Sequence, residues 1–360
     1  MNTRGVRLLF PLVLFTLSLS SRAQRVDRVY PIMRPDWETR QEWFAAYRGA
    51  PRAAIDRQLA AKLLGSVDLL PYLQYTPSER DQVNCGNCWS WAGTGVMEID
   101  LNVQQGIKDR LSVQFLCTCC GKVNCGCLGG WLSDVASFYQ GMGYTIPWSN
   151  PNGDFQNQDG YCGCTCASIG RSPNYPLTSI SYVVVETQGV SSNTAISNIK
   201  TILNGNRAVW FGFFLPRDSD WTHFMNFWNN QAESVIYVPP SSVCGATWDN
   251  GGGGHAVLVV GYNDDDPNPT NHYWLMLNSW GTTAGRPNGL MRWTMNMNYS
   301  CQSYDRGSWD DDYYWQTLNI TWAASAKPTV ATSNATDVTS SSATLRGTVN
   351  PKGSATTWWF

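Results

Sequence analysis

The sequence has few charged residues and almost no histidine. Lys, Arg, Asp and Glu make up 14% of its 360 residues, against about 25% in an average soluble domain. The formal net charge is −2, which gives no electrostatic reason to expect nucleic acid as a partner. The only three histidines are His223, His255 and His272, so any site that needs an imidazole must use one of them.

Long apolar runs are absent beyond the N-terminus. Arg4 and Arg7 precede an apolar run over residues 8–19, and the small residues around Ala23 suit cleavage, which is the layout of a secretory signal peptide over residues 1–23. This run of twelve residues is too short to span a bilayer. No later stretch approaches about 18 uninterrupted apolar residues, so we predict no membrane span in the mature chain.

Cysteine and aromatic residues are abundant. The chain contains 12 Cys, 18 Trp and 16 Tyr, and 43% of its residues are hydrophobic, which is enough to bury a sizeable core. A cysteine content this high is typical of an oxidising compartment, where disulfides persist. Together with the signal peptide, it predicts a secreted protein.

The length predicts more than one domain, at about 150 residues for each. Residues 24–64 predict two short helices. Pro35-Asp36 suits the start of the first and Gly49 its end, while Pro51 suits the first position of the second. Two amphipathic helices cannot form a domain alone, so we expect a propeptide-like segment that docks on the rest of the chain.

Residues 65–322 predict a domain in which a helix precedes several strands. Apolar residues recur at helical spacing from Cys88 to Val103, and Gly106 follows as a stop signal. Later apolar runs favour strands. These runs are residues 208–215, 255–262, 273–277 and 290–294. A helix followed by strands indicates the α+β class.

The composition changes to Ala, Ser and Thr near residue 323. We interpret residues 323–328 as a linker and residues 329–360 as strands joined by a turn at Asn350-Pro351. This last segment is too short for a β-sandwich of about 100 residues. We therefore predict an incomplete β-sandwich segment, and a natural chain that continues past Phe360.

The strongest motif is Gln-Val-Asn-Cys-Gly-Asn-Cys-Trp at residues 82–89. It resembles the active-site stretch of papain-like cysteine peptidases, whose signature is C-G-[SA]-C-[WY], and Asn87 departs from the usual Ser or Ala. Four further segments resemble motifs of this family in the expected order, over about residues 65–320. They are Leu-Ser-Val-Gln at 111–114, Cys-Leu-Gly-Gly at 127–130, His-Ala-Val at 255–257 with Gly-Tyr at 261–262, and Asn-Ser-Trp-Gly at 278–281.

The resemblance implies a papain-like fold with a helical half that carries the nucleophile, an antiparallel β-barrel-like half and a cleft between them. It implies Cys88 as the nucleophile at a helix N-terminus, where the macrodipole favours a thiolate. His255 would pair with the thiolate, and Asn278 would orient the imidazole. Gln82 would supply an oxyanion-hole donor, and Trp280 would shield the His–Asn bond from water.

The resemblance also implies how a peptide binds. Gly129 and Gly130 match the glycines whose backbone pairs with an extended substrate. Trp131, Leu132 and Ala256 fall where the family lines its main specificity pocket. All three side chains are apolar, so we expect a bulky hydrophobic or aromatic residue two positions before the scissile bond. The alternative is that Trp131 closes the pocket.

The remaining cysteines predict a disulfide framework. If Cys88 is free, eleven cysteines are left. The pairs that the resemblance implies are Cys85–Cys127, Cys244–Cys301, and Cys119 with one of Cys162, Cys164 and Cys166. Five cysteines then remain, which allows at most two further disulfides and leaves one thiol. Zinc binding is the alternative for the Cys117-x-x-Cys120 and Cys-x-Cys spacings, but a secreted chain favours disulfides.

We therefore expect a secreted cysteine endopeptidase, made as a zymogen, that acts on peptide or protein substrates and needs no cofactor or metal. No histidine lies between Cys88 and His223, which argues against the paired-histidine blocking loop of carboxydipeptidases. One alternative is a thioredoxin-like redox pair of Cys85 and Cys88, but this would leave His255 unexplained.

A second alternative is an adhesion or binding protein with a catalytically silent peptidase fold. Residues 337–351 resemble the start of a fibronectin type III-like module of secreted proteins. Such a module would suggest attachment to a cell surface or matrix. The intact Cys88 and His255 favour the enzyme over this alternative.

Overall fold

The computed structural model describes residues 31–60, 65–158, 161–324 and 329–350. The predicted signal peptide and the end of the chain lie outside these ranges. The α-helices in the described residues are α1 (Trp37–Gly49), α2 (Arg57–Ala60), α3 (Cys88–Gln105), α4 (Val113–Cys119), α5 (Leu132–Met142), α6 (Ser192–Asn204) and α7 (Asp218–Asn230). None of them is long and apolar enough to cross a bilayer.

The strands of the described residues fall into one large sheet and two hairpins. They are β1 (Ser66–Asp68), β2 (Tyr144–Thr145), β3 (Tyr175–Val184), β4 (Val209–Leu215), β5 (Ile236–Tyr237), β6 (Gly253–Asn263), β7 (Tyr273–Leu277), β8 (Leu290–Thr294), β9 (Gln302–Asp305), β10 (Ser308–Asp311), β11 (Tyr313–Trp322), β12 (Thr329–Thr336) and β13 (Thr344–Asn350). All four predicted strand runs are confirmed, with shifts of at most two residues at their ends.

The large sheet runs in the order β2-β3-β11-β4-β6-β7-β8-β5, and β1 pairs with β6 outside this path. Neighbouring strands in this sheet are antiparallel, except that β5 and β8 are parallel. Every residue of β4 and almost every residue of β6 is buried, because the sheet is covered on both faces at its centre. The predicted α+β class is confirmed, with helices packed on one large sheet.

Helix α3 packs against the centre of this sheet and follows the predicted pattern. Residues 88–101 are all buried. Gly106 ends the helix in the left-handed region at φ 68°, and its N–H donates to the Asn102 carbonyl oxygen at 2.8 Å. Gly95 lets the helix approach β6 closely, since a Cβ there would lie 2.5 Å from Leu258 Cδ2.

The segment before residue 65 confirms the first predicted helix, and the second begins at Arg57 instead of Pro51. Helix α1 begins after Asp36, whose side chain accepts from the Thr39 N–H, and it ends at Gly49. Pro51 does not begin a helix. It lies in an extended stretch that bonds to the end of β3, where the Val184 N–H donates to the Pro51 carbonyl oxygen at 2.9 Å. This hydrogen bond to a distant residue occupies the Pro51 carbonyl oxygen, which in a helix would accept from an N–H further along the same helix.

Strands β12 and β13 form an antiparallel hairpin, with Thr329 opposite Asn350. Its residues are mostly exposed. A single hairpin does not identify a β-sandwich, so the fibronectin type III-like module stays a prediction, and residues 351–360 lie outside the described residues.

The close contact between α3 and β6 can be tested with glycine substitutions. Gly95→Ala should lower the free energy of unfolding, because overpacking costs about 1–3 kcal/mol and the helix propensity of alanine returns only about 1 kcal/mol. Gly141→Ala in α5 is the matched control, since its Cβ would meet nothing within 4 Å and should raise stability. Urea unfolding in a Cys88→Ala background measures both, and equal gains would contradict the close packing.

Candidate active site

Three predicted site residues from separate elements meet at one end of α3. Cys88 is the first residue of α3, His255 lies near the start of β6, and Asn278 follows β7. All three are almost completely buried. His255 Nε2 lies 2.7 Å from Asn278 Oδ1, and the backbone N–H of Ala256, the next residue, donates to Cys88 Sγ at 3.3 Å.

The hydrogen bonds of Asn278 define the histidine tautomer. Its Oδ1 accepts from the Ser279 N–H at 2.8 Å as well as contacting His255, so His255 Nε2 carries the proton and donates. The other ring nitrogen, Nδ1, has no hydrogen-bond partner among the described residues. Its lone pair is therefore not engaged by any described donor.

Trp280 lies over the histidine ring. The two ring centroids are 4.3 Å apart with an interplanar angle of 29°, and Trp280 is fully buried. This stack covers one face of the imidazole ring. The other two histidines lie elsewhere: His223 is exposed on α7, and His272 contacts the Asp266 carbonyl oxygen at 2.6 Å.

Hydrogen bonds hold the Gln82 side chain so that its amide nitrogen faces the residues just before Cys88 in the chain. Ser279 Oγ donates to Gln82 Oε1 at 2.7 Å, which fixes the orientation of the amide. Gln82 Nε2 then donates to the Cys85 carbonyl oxygen at 2.8 Å and to the Pro31 carbonyl oxygen at 3.1 Å. The predicted donor thus already holds a peptide carbonyl from the N-terminal segment.

Residues 31–50, which we call the covering segment, lie across the site. Met33 and Gly254 exchange two backbone hydrogen bonds of 2.8 and 2.9 Å, directly beside His255. The Arg34 N–H donates to the Leu128 carbonyl oxygen at 3.3 Å. A Cβ on Gly129, at φ 122°, would lie 3.0 Å from Met33 Cβ. Sequence reasoning left open whether this segment reaches the cleft, because the contacts join residues far apart in the chain.

Helix α1 of the covering segment packs on a set of buried rings that we call the aromatic wall, Trp131, Phe214 and Tyr314. Trp43 stacks on Trp131 with centroids 5.5 Å apart, and Phe44 stacks on Tyr314 at 5.0 Å. The wall is continuous, since Trp131 also contacts Phe214 and Tyr314. Phe214 and Tyr314 carried no motif and were missed from the sequence.

The other predicted substrate-binding residues are also covered. Leu132 and Ala256 are buried. The backbone of Gly130 packs closely against the indole of Trp89, since a Cβ at this position would lie 2.5 Å from Trp89 Cδ2. Gly129 and Trp131 therefore lie beneath the covering segment, which contacts them through Met33 and Trp43.

Burial controls the charge of the two central groups. It raises the pKa of the Cys88 thiol to about 12, against the smaller opposing effect of the Ala256 N–H. It lowers the pKa of His255 to about 3, against the opposing hydrogen bond with Asn278. Removal from water disfavours the charged form of each group. The covered site therefore favours a neutral thiol beside a neutral imidazole.

Eight cysteines are disulfide-bonded. The bonds are Cys85–Cys127, Cys119–Cys166, Cys125–Cys162 and Cys244–Cys301. Cys125–Cys162 is the one extra bond, within the predicted limit of two. Three thiols besides Cys88 stay free, Cys117, Cys120 and Cys164, where one was expected. Within the described ranges, no group of three His, Cys, Asp or Glu side chains is placed to hold a metal.

One of these free thiols explains the unusual residue beside the nucleophile. Asn87 Nδ2 donates to Cys117 Sγ at 3.1 Å, and Ser90 Oγ lies 3.1 Å from the same sulfur. Cys117 is fully buried in α4. Asn87 therefore ties the first turn of α3 to α4, which a smaller Ser or Ala would not do.

A buried ion pair supports the loop that carries Gln82. Arg80 Nη1 lies 3.8 Å from Glu98 Oε2, and both side chains are almost fully buried. Arg80 Nη2 donates to the Trp91 carbonyl oxygen at 2.9 Å, and the Leu111 N–H donates to Glu98 Oε1 at 2.8 Å. The pair joins the loop before the nucleophile to the middle of α3. Burial raises the pKa of Glu98 to about 7, and Arg80 opposes this shift.

The sequence profile described as "Papain family cysteine protease" matches residues 67–213 and 219–309. The match covers well over half of the chain, so the chain belongs to this family. The chain is 29% identical to cathepsin J of Mus musculus over 230 residues, which are 63% of this chain and 59% of that protein. It is 27% identical to digestive cysteine proteinase 3 of Homarus americanus over 255 residues, 71% of this chain and 68% of that protein.

Solved structures agree on the fold. The chain superposes on procathepsin B S9 from Trypanosoma congolense with a TM-score of 0.51 and 16% identity, covering 83% of this chain and 88% of that one. This likeness concerns the fold, and the papain-like architecture predicted from the motifs is confirmed.

The Arg80–Glu98 pair generates a pH prediction. The pKa of Glu98 is about 7 in the folded chain against an ordinary value of 4.5. The stabilising contribution of this carboxyl group is therefore present below about pH 4.5 and is lost as the pH rises through about 7. Over that window, the free energy of unfolding of the wild type should fall relative to Glu98→Gln.

Urea unfolding at a series of pH values, in a Cys88→Ala background, measures this difference. Glu38→Gln is the control, since Glu38 is exposed on α1 and its substitution should leave the pH dependence unchanged. Parallel curves for the wild type and Glu98→Gln would show that Glu98 does not titrate in this window.

Proposed function

We propose that this chain is a cysteine protease that hydrolyses peptide bonds through the thiolate of Cys88. The observation that carries the proposal is the contact between Gln82 Nε2 and the Pro31 carbonyl oxygen at 3.1 Å. A peptide carbonyl lies there against the predicted oxyanion donor, in the site that Cys88, His255 and Asn278 form. The family membership of the chain supports the same activity.

The reaction follows from the hydrogen bonds of the site. His255 Nδ1 takes the proton of Cys88, and the thiolate attacks the substrate carbonyl carbon. The oxyanion accepts hydrogen bonds from Gln82 Nε2 and the Cys88 backbone N–H. His255 then gives its proton to the amine nitrogen as the C–N bond breaks, which leaves a thioester on Cys88.

Hydrolysis of the thioester completes the cycle. Water attacks the thioester carbonyl and passes a proton to His255. The C–S bond then breaks, releasing the carboxylic acid and restoring the thiolate–imidazolium pair. Asn278 keeps the imidazole in the required tautomer throughout, and Trp280 limits the access of water to their hydrogen bond.

In this proposal the protein is made as a zymogen, and the covering segment blocks its active site. It occupies the oxyanion donor through Pro31 and pairs with Gly254, and its Trp43 covers Trp131. It also keeps the site dry, and burial then favours the neutral forms of Cys88 and His255. Removal of the segment would therefore both open the cleft and admit the water that stabilises the charged pair.

The exposed cleft would select hydrophobic substrates. Trp131, Leu132 and Ala256 are apolar, and Trp131 carries a stacked Trp43 in the covered state. We propose that a bulky hydrophobic substrate residue two positions before the scissile bond replaces that indole, while the backbone of Gly129 and Gly130 pairs with the peptide. The protein would act as an endopeptidase.

We also propose that the protease works outside the cell. The four disulfides fit an oxidising compartment, and the predicted signal peptide would direct the chain there. Attachment to a surface through the C-terminal segment stays a prediction.

The nucleophile can be tested by substitution and labelling. Cys88→Ala should reduce peptide hydrolysis by more than about a thousandfold, because no other group can form the thioester. It should also abolish covalent labelling by a broad epoxide inhibitor of cysteine proteases. Cys120→Ala removes a free, half-buried thiol outside the site and should retain both properties. Equal labelling of Cys88→Ala and the wild type would refute the assignment.

The covering role of α1 can be tested with Trp43→Ala. Loss of the indole that stacks on Trp131 removes about 3–5 kcal/mol of packing, so the intact chain should expose its site more often. Alkylation of Cys88 by iodoacetamide, measured by mass spectrometry of the uncut chain, should quicken by at least about tenfold. Glu42→Ala is the control, because Glu42 is exposed on the same helix. An unchanged alkylation rate in Trp43→Ala would contradict a closed cover.

A further inference from the structure

Arg40 of the covering segment occupies a site that belongs to the catalytic domain. Its side chain is almost fully buried although it is charged. The guanidinium carbon lies 3.7 Å from the centroid of the Trp248 ring, and Nη2 forms an ion pair with Asp305 Oδ2. A ring face with an adjacent carboxylate is the arrangement that recognises a guanidinium group.

The walls of this site are fixed by the catalytic domain itself. Trp248 Nε1 donates to Ser303 Oγ at 2.7 Å, and Ser303 Oγ donates to Asp312 Oδ1 at 2.7 Å. The indole is therefore oriented before any cation arrives. We call Trp248, Ser303, Asp305 and Asp312 the guanidinium site.

Residues of the covering segment interact with the acidic groups around the guanidinium site. Asp310 and Asp311 lie on the same hairpin, and Gln41 Nε2 donates to Asp310 Oδ2 at 2.7 Å. Arg48 of α1 acts on Asp311, and Arg40 acts on Asp312. Burial raises the pKa of both carboxyl groups. Departure of α1 would expose the face of the Trp248 indole and remove Arg40 and Arg48 from these carboxyl groups. The water that enters would favour their ionised forms.

The guanidinium site adjoins the cleft. A Cβ on Gly252 would lie 2.3 Å from Trp248 Cε3, so Trp248 packs directly on the strand that leads to His255. Phe214 contacts Trp248 at 6.0 Å and Trp131 at 6.2 Å between ring centroids. The site therefore lies just beyond the aromatic wall, on the side proposed for substrate residues before the scissile bond.

We propose that, once the covering segment has left, the guanidinium site binds an arginine side chain of the substrate. The arginine would lie before the scissile bond and further from it than the hydrophobic residue that contacts Trp131. This inference rests on the proposed protease function, and it adds a second element of specificity. Lysine would bind less well, since it lacks the planar group that stacks on Trp248 while bonding to Asp305.

Substrate cleavage tests the site. Peptides carry leucine two positions before the bond and either arginine or its neutral isostere citrulline at the third, fourth or fifth position before it. For the processed wild type, kcat/KM should be at least about tenfold higher with arginine at one of these positions. In Asp305→Asn, the ratio of kcat/KM for the arginine peptide to that for the citrulline peptide should fall to about one. The ratio should persist in the control Asp154→Asn, which alters an exposed carboxylate.

The outcomes separate the site from the proposed function. Equal cleavage of arginine and citrulline peptides by an active wild-type enzyme would overturn the guanidinium site. So would an arginine preference that Asp305→Asn retains. Should Asp305→Asn fail to fold, Trp248→Leu takes its place with the same expected loss.

Absence of cleavage of every peptide would count against the protease function alone, and binding would then decide the site. For this measurement, a recognition site for a second, specific protease is inserted after residue 64 of the Cys88→Ala chain. Cutting there leaves the covering segment bound to the catalytic domain by non-covalent contacts alone. A peptide of residues 31–50 with arginine at position 40 should displace it at least about tenfold better than the citrulline-40 peptide. Equal displacement would overturn the site.

Discussion

The close packing of α3 on β6 determines where every group of the site lies. Gly95 brings the helix onto Leu258, and the same contact carries Cys88 to the N–H of Ala256. The helix supplies the sulfur and the strand supplies the imidazole, so neither element could shift along the other without separating them. Arg80 and Glu98 add a polar tie between α3 and the loop of Gln82. Gln82, the proposed oxyanion donor, is therefore positioned by the same helix as Cys88, the proposed nucleophile.

Burial has two opposite effects in this molecule. It gives the aromatic wall and the central strands their stability, since rings of this size each bury 150–250 Å². It also opposes the ionic state that the proposed chemistry needs, because a dry thiol and a dry imidazole stay neutral. The covering segment uses the second effect without chemical modification of either group. A short segment can achieve this because it bonds through its backbone at Met33 and packs through large rings at Trp43 and Phe44.

Local patterns in the sequence predicted much of the fold. The spacing of apolar residues gave α3 with its stop at Gly106, and the apolar runs gave four strands of the sheet. The motifs also identified residues that the structure brings together, since Cys88, His255 and Asn278 each stand in a recognisable context. What could not be predicted depends on distant pairing. Pro51 has the local signature of a helix start, yet Val184 binds its backbone. Phe214 and Tyr314 read as ordinary core residues until the fold places α1 against them, and cysteine spacing could not choose Cys162 as the partner of Cys125.

Strand β11 has a consequence for how the chain matures during synthesis. It lies between β3 and β4 in the centre of the sheet, although it follows all the other strands of that sheet in the chain. Its last residue, Trp322, donates from Nε1 to Asp100 Oδ1 of α3 at 2.7 Å. A ribosome delivers the N-terminal elements first, so the nucleophile helix must wait for residues 313–322 before its packing is complete. The order of translation thus delays assembly of the site, and the covering segment has already emerged by the time the sheet can close.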